Sequence, residues 1–199
     1  MPAGLSDTIV TMQQPKKVLA LVGMPGAGKT YCVDYLKQKG WPSVYFGGVV
    51  VDETIRRYGS TTPEKEKLVR EEFRTKEGTA AIARRIIPQI DELLTRHPYV
   101  VADGLYSWSE YKLFKEHYGD NAVIVAITAP RLVRHQRLKH RPVRPLTDEE
   151  ATAREYAEIE SIEKGGPIAN ADYTIVNDDT PEAMYAKLED VLANAGFIS

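Results

Sequence analysis

The sequence predicts an α/β fold with one parallel sheet, on three observations. Short, continuously apolar runs recur along the chain, longer segments with helix start and stop signals separate them, and a glycine-rich loop follows the first run. A continuous apolar run is the pattern of a strand buried on both faces. Strands that alternate with helices need crossover connections, which make them parallel and cover both faces of the sheet.

Taken in order, residues 1–17 hold polar residues and prolines without a signal-peptide core, and predict a flexible tail. Val18-Leu19-Ala20-Leu21-Val22 is the first strand, and Tyr31 to Gln38 the first helix. Ser43-Val44-Tyr45-Phe46 is a weaker second strand. Helices fill the stretch after it, to about residue 78, where Thr62-Pro63 pairs an N-cap with proline at the first helical position. The helical pattern from Thr79 to Arg96 contains Pro88, which predicts a kink or a break. Tyr99 to Ala102 is the third strand. Ser107 with Glu110 forms a capping box, and Gly119 stands where that helix stops. Ala122 to Ile127 is the fourth strand, Thr147 with Glu150 opens another helix, Tyr173 to Val176 is the fifth strand, and Thr180-Pro181 begins the last helix. Five parallel strands result, with the first central and flanked by those ending at Asp103 and Ile127. Residues 18–199 form one domain.

Composition narrows the function. A net charge of −2 over 199 residues provides no basic field for nucleic acid. One cysteine allows no internal disulfide, and no apolar run approaches the about 18 residues a membrane span needs. The expectation is a cytoplasmic protein that meets neither nucleic acid nor membrane.

The chemistry concentrates in a few places. Gly23-Met24-Pro25-Gly26-Ala27-Gly28-Lys29-Thr30 matches G-x-x-x-x-G-K-[ST], with a buried strand before it and a helix after it. Such a loop curls so that backbone N–H groups face phosphate oxygens at the positive end of a helix. Lys29 is then placed to bridge terminal phosphates, and the Thr30 hydroxyl to ligate Mg²⁺. Asp103 ends the third strand beside the first, where a carboxylate can hold Mg²⁺ or accept a proton from an acceptor. Arg131, Arg134, Arg137, Lys139, Arg141 and Arg144 follow one another with no acidic residue between them. Two prolines, Pro142 and Pro145, make the end of this segment a loop, a lid over about 137–147. Its arginines can stabilise charge on a transferring phosphoryl group, or simply pair with the acidic helix that follows. Cys32, in the helix after the cradle, and the four histidines carry no assigned chemistry.

These residues resemble the nucleoside monophosphate kinase-like P-loop kinases, nearest to an archaeal-type branch grouped with adenylate kinase and dephospho-CoA kinase. The likeness runs from about Lys17 to Leu192. Besides the cradle, it rests on Phe46-Gly47-Gly48-Val49-Val50, Arg74 with Glu77-Gly78, Ala83 to Leu94, Val101-Ala102-Asp103-Gly104, and Ala171 to Asp178. It implies a three-layer P-loop NTPase fold with an Arg-rich lid, ATP and Mg²⁺ as cofactors, and a small-molecule phosphate acceptor. Gly23, Gly26, Ala27, Gly28, Lys29, Thr30 and Tyr31 would bind the nucleotide, with Asn177 in the loop lying beside adenine. Lys29, Asp103, Arg137 and Arg141 would be catalytic. Gly47, Arg56, Arg74 and Arg144 would hold the acceptor. In two places the chain departs from the family, having Val51 and Ser107 where acceptor-binding arginines often stand. The expected activity is ATP-dependent phosphoryl transfer, with a nucleoside or deoxynucleoside monophosphate first among acceptors. Dephospho-CoA, another metabolite, or nucleotide binding without transfer are the alternatives.

Overall fold

The computed structural model describes residues 16–198. The tail expected at the N-terminus therefore lies almost wholly outside the described residues. Its last position, Lys17, begins the first strand.

Five strands form one all-parallel sheet: β1 (Lys17–Val22), β2 (Ser43–Tyr45), β3 (Tyr99–Asp103), β4 (Ala122–Thr128) and β5 (Tyr173–Val176), in the order β2-β3-β1-β4-β5. The central place of β1 follows from its burial, since Val18 to Val22 are all inaccessible. Alternate residues of β1 serve two cores. Val18, Ala20 and Val22 face one layer of helices, α2 (Gly48–Tyr58), α3 (Pro63–Glu77), α4 (Ala81–Arg96) and α5 (Trp108–Tyr118). Leu19 and Leu21 face the other, α1 (Lys29–Gln38) and α9 (Pro181–Asn194), through Val33, Leu36, Met184 and Leu188. Three further helices occur among the described residues: α6 (Arg131–His140), α7 (Asp148–Ile162) and the short α8 (Gly165–Ala169), which packs near α5 and β4.

The helix signals act where the sequence placed them. Thr62 and Thr180 accept from the amides of Lys65 and Ala183, and both capping boxes close. Pro88 does not break its helix. α4 runs unbroken through it because Pro88 lies on the exposed face, where the unpaired Arg84 carbonyl can be hydrated, while Ile86, Ile90 and Leu94 hold the other face in the core.

Register brings the carboxyl ends of the central strands together. Asp103 stands opposite Leu21, and Val22 opposite Ala126. Among the described residues no helix is long and apolar enough to cross a membrane.

Candidate active site

β1 runs directly into the loop 23–28, which ends at the N-terminus of α1. Two glycines explain its shape. Gly28 has φ 101°, and a Cβ there would lie 2.1 Å from the amide nitrogen of Asn177. Gly26, at φ 79°, rests on the backbone of Arg134, where a Cβ would meet the carbonyl oxygen at 2.6 Å. Side chains are excluded because β5 and α6 press on the loop from outside. Within it, the Ala27 amide donates to Met24 and the Tyr31 amide to Gly28. The unpaired donors of the helix start remain beside them.

A cleft of about 920 Å³ opens over the loop. It gathers the whole glycine loop with Lys29, Thr30, Tyr31, Asp103, Arg137, Arg141 and Asn177. At its floor the Lys29 ammonium donates to the Asp103 carboxylate, joining the first helix to the end of β3. Asn177 is less a wall than a brace: it is buried, and its side-chain amide donates to the Ala27 carbonyl at 2.8 Å. Arg137 donates one terminal nitrogen to Asn177 Oδ1 at 3.4 Å, and its other terminal nitrogen is buried with no partner among the described residues.

The arginines of α6 divide by role. Arg134 is buried and donates to Pro25 and Ala129 carbonyls at 3.2 and 3.1 Å, while its guanidinium also pairs with Glu155. It supports the loop from behind. Arg131 donates to Glu155 from the outer side at 3.0 Å. The two are thus paired with the acidic helix, whereas Arg137 and Arg141 reach the cleft.

Four residues expected at the acceptor end lie elsewhere. Gly47 precedes α2 under the Tyr45 ring, which a Cβ would strike. Arg56 is exposed and paired with Glu53 at 2.6 Å. Arg144 is exposed at the lid tip, 4.0 Å from Glu66 of α3. Arg74 is half-buried; its Nε has no partner among the described residues, and it interacts with buried Glu110 beneath α5. No residue of α2 or α3 lines the cleft, because both pack their apolar faces down onto the core.

The opposite wall comes from residues the sequence did not single out: Tyr45, Tyr106, Arg154 and Lys164. Lys164 is 4% exposed, 2.5 Å from Glu158 and 5.0 Å from the centre of the Tyr106 ring. Burial pushes its ammonium pKa down, against the pull of Glu158. Burial alone would raise the Glu158 carboxyl, but Lys164 and Arg154 bring it below the ordinary range. Burial beside Tyr45 and Asp103 pushes the Tyr106 phenol up. The sequence held one faint signal, a lysine in a Glu-Lys-Gly-Gly turn within an otherwise acidic stretch. Cys32, on α1, is fully buried in the core, and that burial pushes its thiol up to about 12 against the influence of Lys29.

A parallel sheet with this loop at its central strand, and a cationic lid above it, defines the P-loop kinase fold. Solved structures share it: TT1252 from Thermus thermophilus (TM-score 0.60, 18% identity, 90% of this chain and 98% of that one) and shikimate kinase from Bacteroides thetaiotaomicron (0.56, 17%, 89% and 98%). A gluconokinase from Sinorhizobium meliloti also matches (0.53, 15%, 92% and 97%). A family model described as an AAA domain matches residues 19–162. The chain is 36% identical over 180 residues to a UPF0200/UPF0201 protein of Archaeoglobus fulgidus, covering 88% of this chain but only 55% of that protein. To the UPF0200 protein of Thermococcus gammatolerans it is 33% identical over 175 residues, covering 86% of this chain and 92% of that one. The chain belongs to the AAA domain family and to the UPF0200 family.

Proposed function

We propose that this protein is an ATP-dependent phosphotransferase acting on a small acceptor. The observation that carries the reading is the meeting of Lys29 and Asp103 at the floor of a cleft roofed by Arg137 and Arg141. Nucleotide phosphates suit this site on two counts. The glycine loop is kept clear of side chains, and Arg137 carries a buried donor without a partner. Lys29 and the amides at the start of α1 would hold the phosphates, while Thr30 and Asp103 would hold Mg²⁺, which neutralises charge between them. Arg137 and Arg141 act on the transferring group from the lid side, and closure of the lid excludes water.

For the acceptor, a nucleoside or deoxynucleoside monophosphate is one reading. A second is favoured by the placement of Arg56 and Arg74 away from the cleft: without guanidinium groups from α2 and α3, a metabolite hydroxyl becomes the better acceptor. The names of the shikimate kinase and gluconokinase that share the fold agree with it. Transfer from MgATP to nucleoside monophosphates, deoxynucleotides, dephospho-CoA, hydroxy acids and water, each measured as product formed, tests both. Nucleotide binding with no transfer to any of these acceptors would instead identify a binding module.

A further inference from the structure

The cleft holds a second pair of cations, Lys164 and Arg154, and nothing in the nucleotide reading uses them. Glu163 ends α7 in the left-handed region at φ 54°, a costly conformation for a side chain of its kind. The next residue, Lys164, thereby enters the cleft while staying almost completely buried. A lysine buries its ammonium only against strong compensation, and here the partner is shared: Glu158 receives Lys164 at 2.5 Å and Arg154 Nε at 2.9 Å. Two cations on one carboxylate leave one positive charge uncompensated within the group. Other charges around it do not cancel that charge. Lys29 approaches from α1, already bonded to Asp103, and Arg141 approaches Arg154 from the lid, the two guanidinium groups repelling each other. The Tyr106 ring lies near both lysines, its centre 6.0 Å from Lys29 and 5.0 Å from Lys164.

Building on the phosphotransferase reading, we propose that Lys164 and Arg154 form an anion subsite that binds a carboxylate or phosphate group of the acceptor. The acceptor's reacting oxygen then points past Tyr106 toward Asp103 and Lys29. A neutral sugar or alcohol is thereby a poor substrate. Glu158 is a positioning residue, keeping both cations turned into the cleft. Excess positive charge in a partly dry cleft is stabilised when a matching anion enters, which makes this subsite specific for charge as well as shape.

The test uses the full chain saturated with MgADP, so that the nucleotide site is filled. Two probe sets are titrated by calorimetry: AMP against adenosine, for a phosphate source, and glycerate against glycerol, for a carboxylate source. At least one anionic probe should bind about tenfold or more tightly than its neutral counterpart, the size of one charge-assisted contact. Lys164→Met should weaken that probe about tenfold, Lys164→Arg should restore most of it, and the Kd for MgADP should stay within about twofold. Should Lys164→Met unfold by leaving Glu158 with Arg154 alone, Lys164→Met with Glu158→Gln removes both charges together, and Arg154→Gln tests the second cation separately. Equal binding of charged and neutral probes, unchanged anion affinity in the variants, or no probe binding to ADP-loaded protein would each overturn the subsite. Failure to bind MgADP at all would instead bring down the phosphotransferase reading beneath it.

Discussion

The side-chain amide of Asn177 donates to the backbone carbonyl of Ala27 at 2.8 Å, across 150 positions of sequence. The residue after β5 thereby holds the glycine loop, its amide lying where a Cβ on Gly28 would meet it. Removing the amide leaves a buried carbonyl unpaired, a loss of about 1–3 kcal/mol. Asn177→Ala should therefore weaken ATP about tenfold through a loosened loop. Gly28→Ala, forced both by φ 101° and by the 2.1 Å approach, should abolish nucleotide binding. Fluorescent ADP titrations check both, and wild-type affinity in either variant would show that the brace does not set the loop.

Lys29→Ala should lower turnover by about a hundredfold or more, as expected when a preorganised charge on the transferring group is lost. Asp103→Asn should do the same and raise the Mg²⁺ concentration for half-maximal rate, if the carboxylate helps hold the ion. An unchanged Mg²⁺ requirement with reduced turnover would point to the other role, acceptance of the acceptor's proton.

Much of this was legible in the chain. The five strands follow from where the apolar runs fall, the central place of the first between the third and fourth is as expected, and the cradle follows from an eight-residue motif in its proper setting. Arg74, Arg56 and Lys164 were not. Whether an arginine on a helix faces a cleft or a neighbour depends on how that helix rolls on the core, and α3 turns Val69 and Phe73 inward, carrying Arg74 toward Glu110. Lys164 depends on one left-handed residue, Glu163, which the Glu-Lys-Gly-Gly stretch signals only faintly because glutamate rarely adopts that conformation. Arg134 stood in the basic run from Arg131 to Arg144, but membership of that run does not distinguish a ligand from a support.

Arg74→Met should accordingly leave the KM of the true acceptor within about twofold, because uniform binding contacts change KM only when they touch substrate. Its effect should fall on stability, since Glu110 is buried and Arg74 opposes the upward push that burial gives its carboxyl. A several-fold rise in acceptor KM would return Arg74 to the acceptor site.

Glu155 ties the lid to the cradle, receiving Arg131 and Arg134, with His135 Nε2 lying 3.3 Å from its carboxylate. Burial alone would raise its carboxyl pKa, yet those hydrogen bonds bring it below the ordinary 4.5. A carboxyl depressed in the folded state contributes stability above its unfolded value and loses it as pH falls through the folded one. The contribution should fade below about pH 4.5, which chemical unfolding at a series of pH values measures. Glu155→Ala should cost about 3–5 kcal/mol, the range for breaking a buried pair and leaving its cations behind. Nucleotide binding should weaken in the same variant, because Arg134 also holds the Pro25 carbonyl at 3.2 Å. Normal nucleotide affinity in a destabilised Glu155→Ala protein would separate the ion pair from the loop.

The lid supplies the last expectation. Its tip is held lightly: Arg141 Nε donates to the Arg144 carbonyl at 2.6 Å, Leu146 N to Leu138 at 3.1 Å, and exposed Arg144 lies 4.0 Å from Glu66. Arg144 itself adopts φ 52°, where glycine is at ease and arginine is strained. An exposed ion pair of this kind contributes about 0–1 kcal/mol, too little to fix the loop against α3. Arg141 is different. Burial lowers its pKa first, and the neighbouring cations Arg154 and Arg144 lower it further, so an anion beneath it relieves the repulsion. A nucleotide together with an anionic acceptor should therefore draw residues 141–146 down and slow their amide exchange more than nucleotide alone. Arg141→Ala should remove that extra protection and lower turnover about tenfold or more, while Arg144→Gly leaves both nearly unchanged. Hydrogen exchange over residues 141–146, with MgADP alone and with MgADP plus the acceptor, decides it. Equal protection in the two states would mean that the lid arginines do not close on substrate.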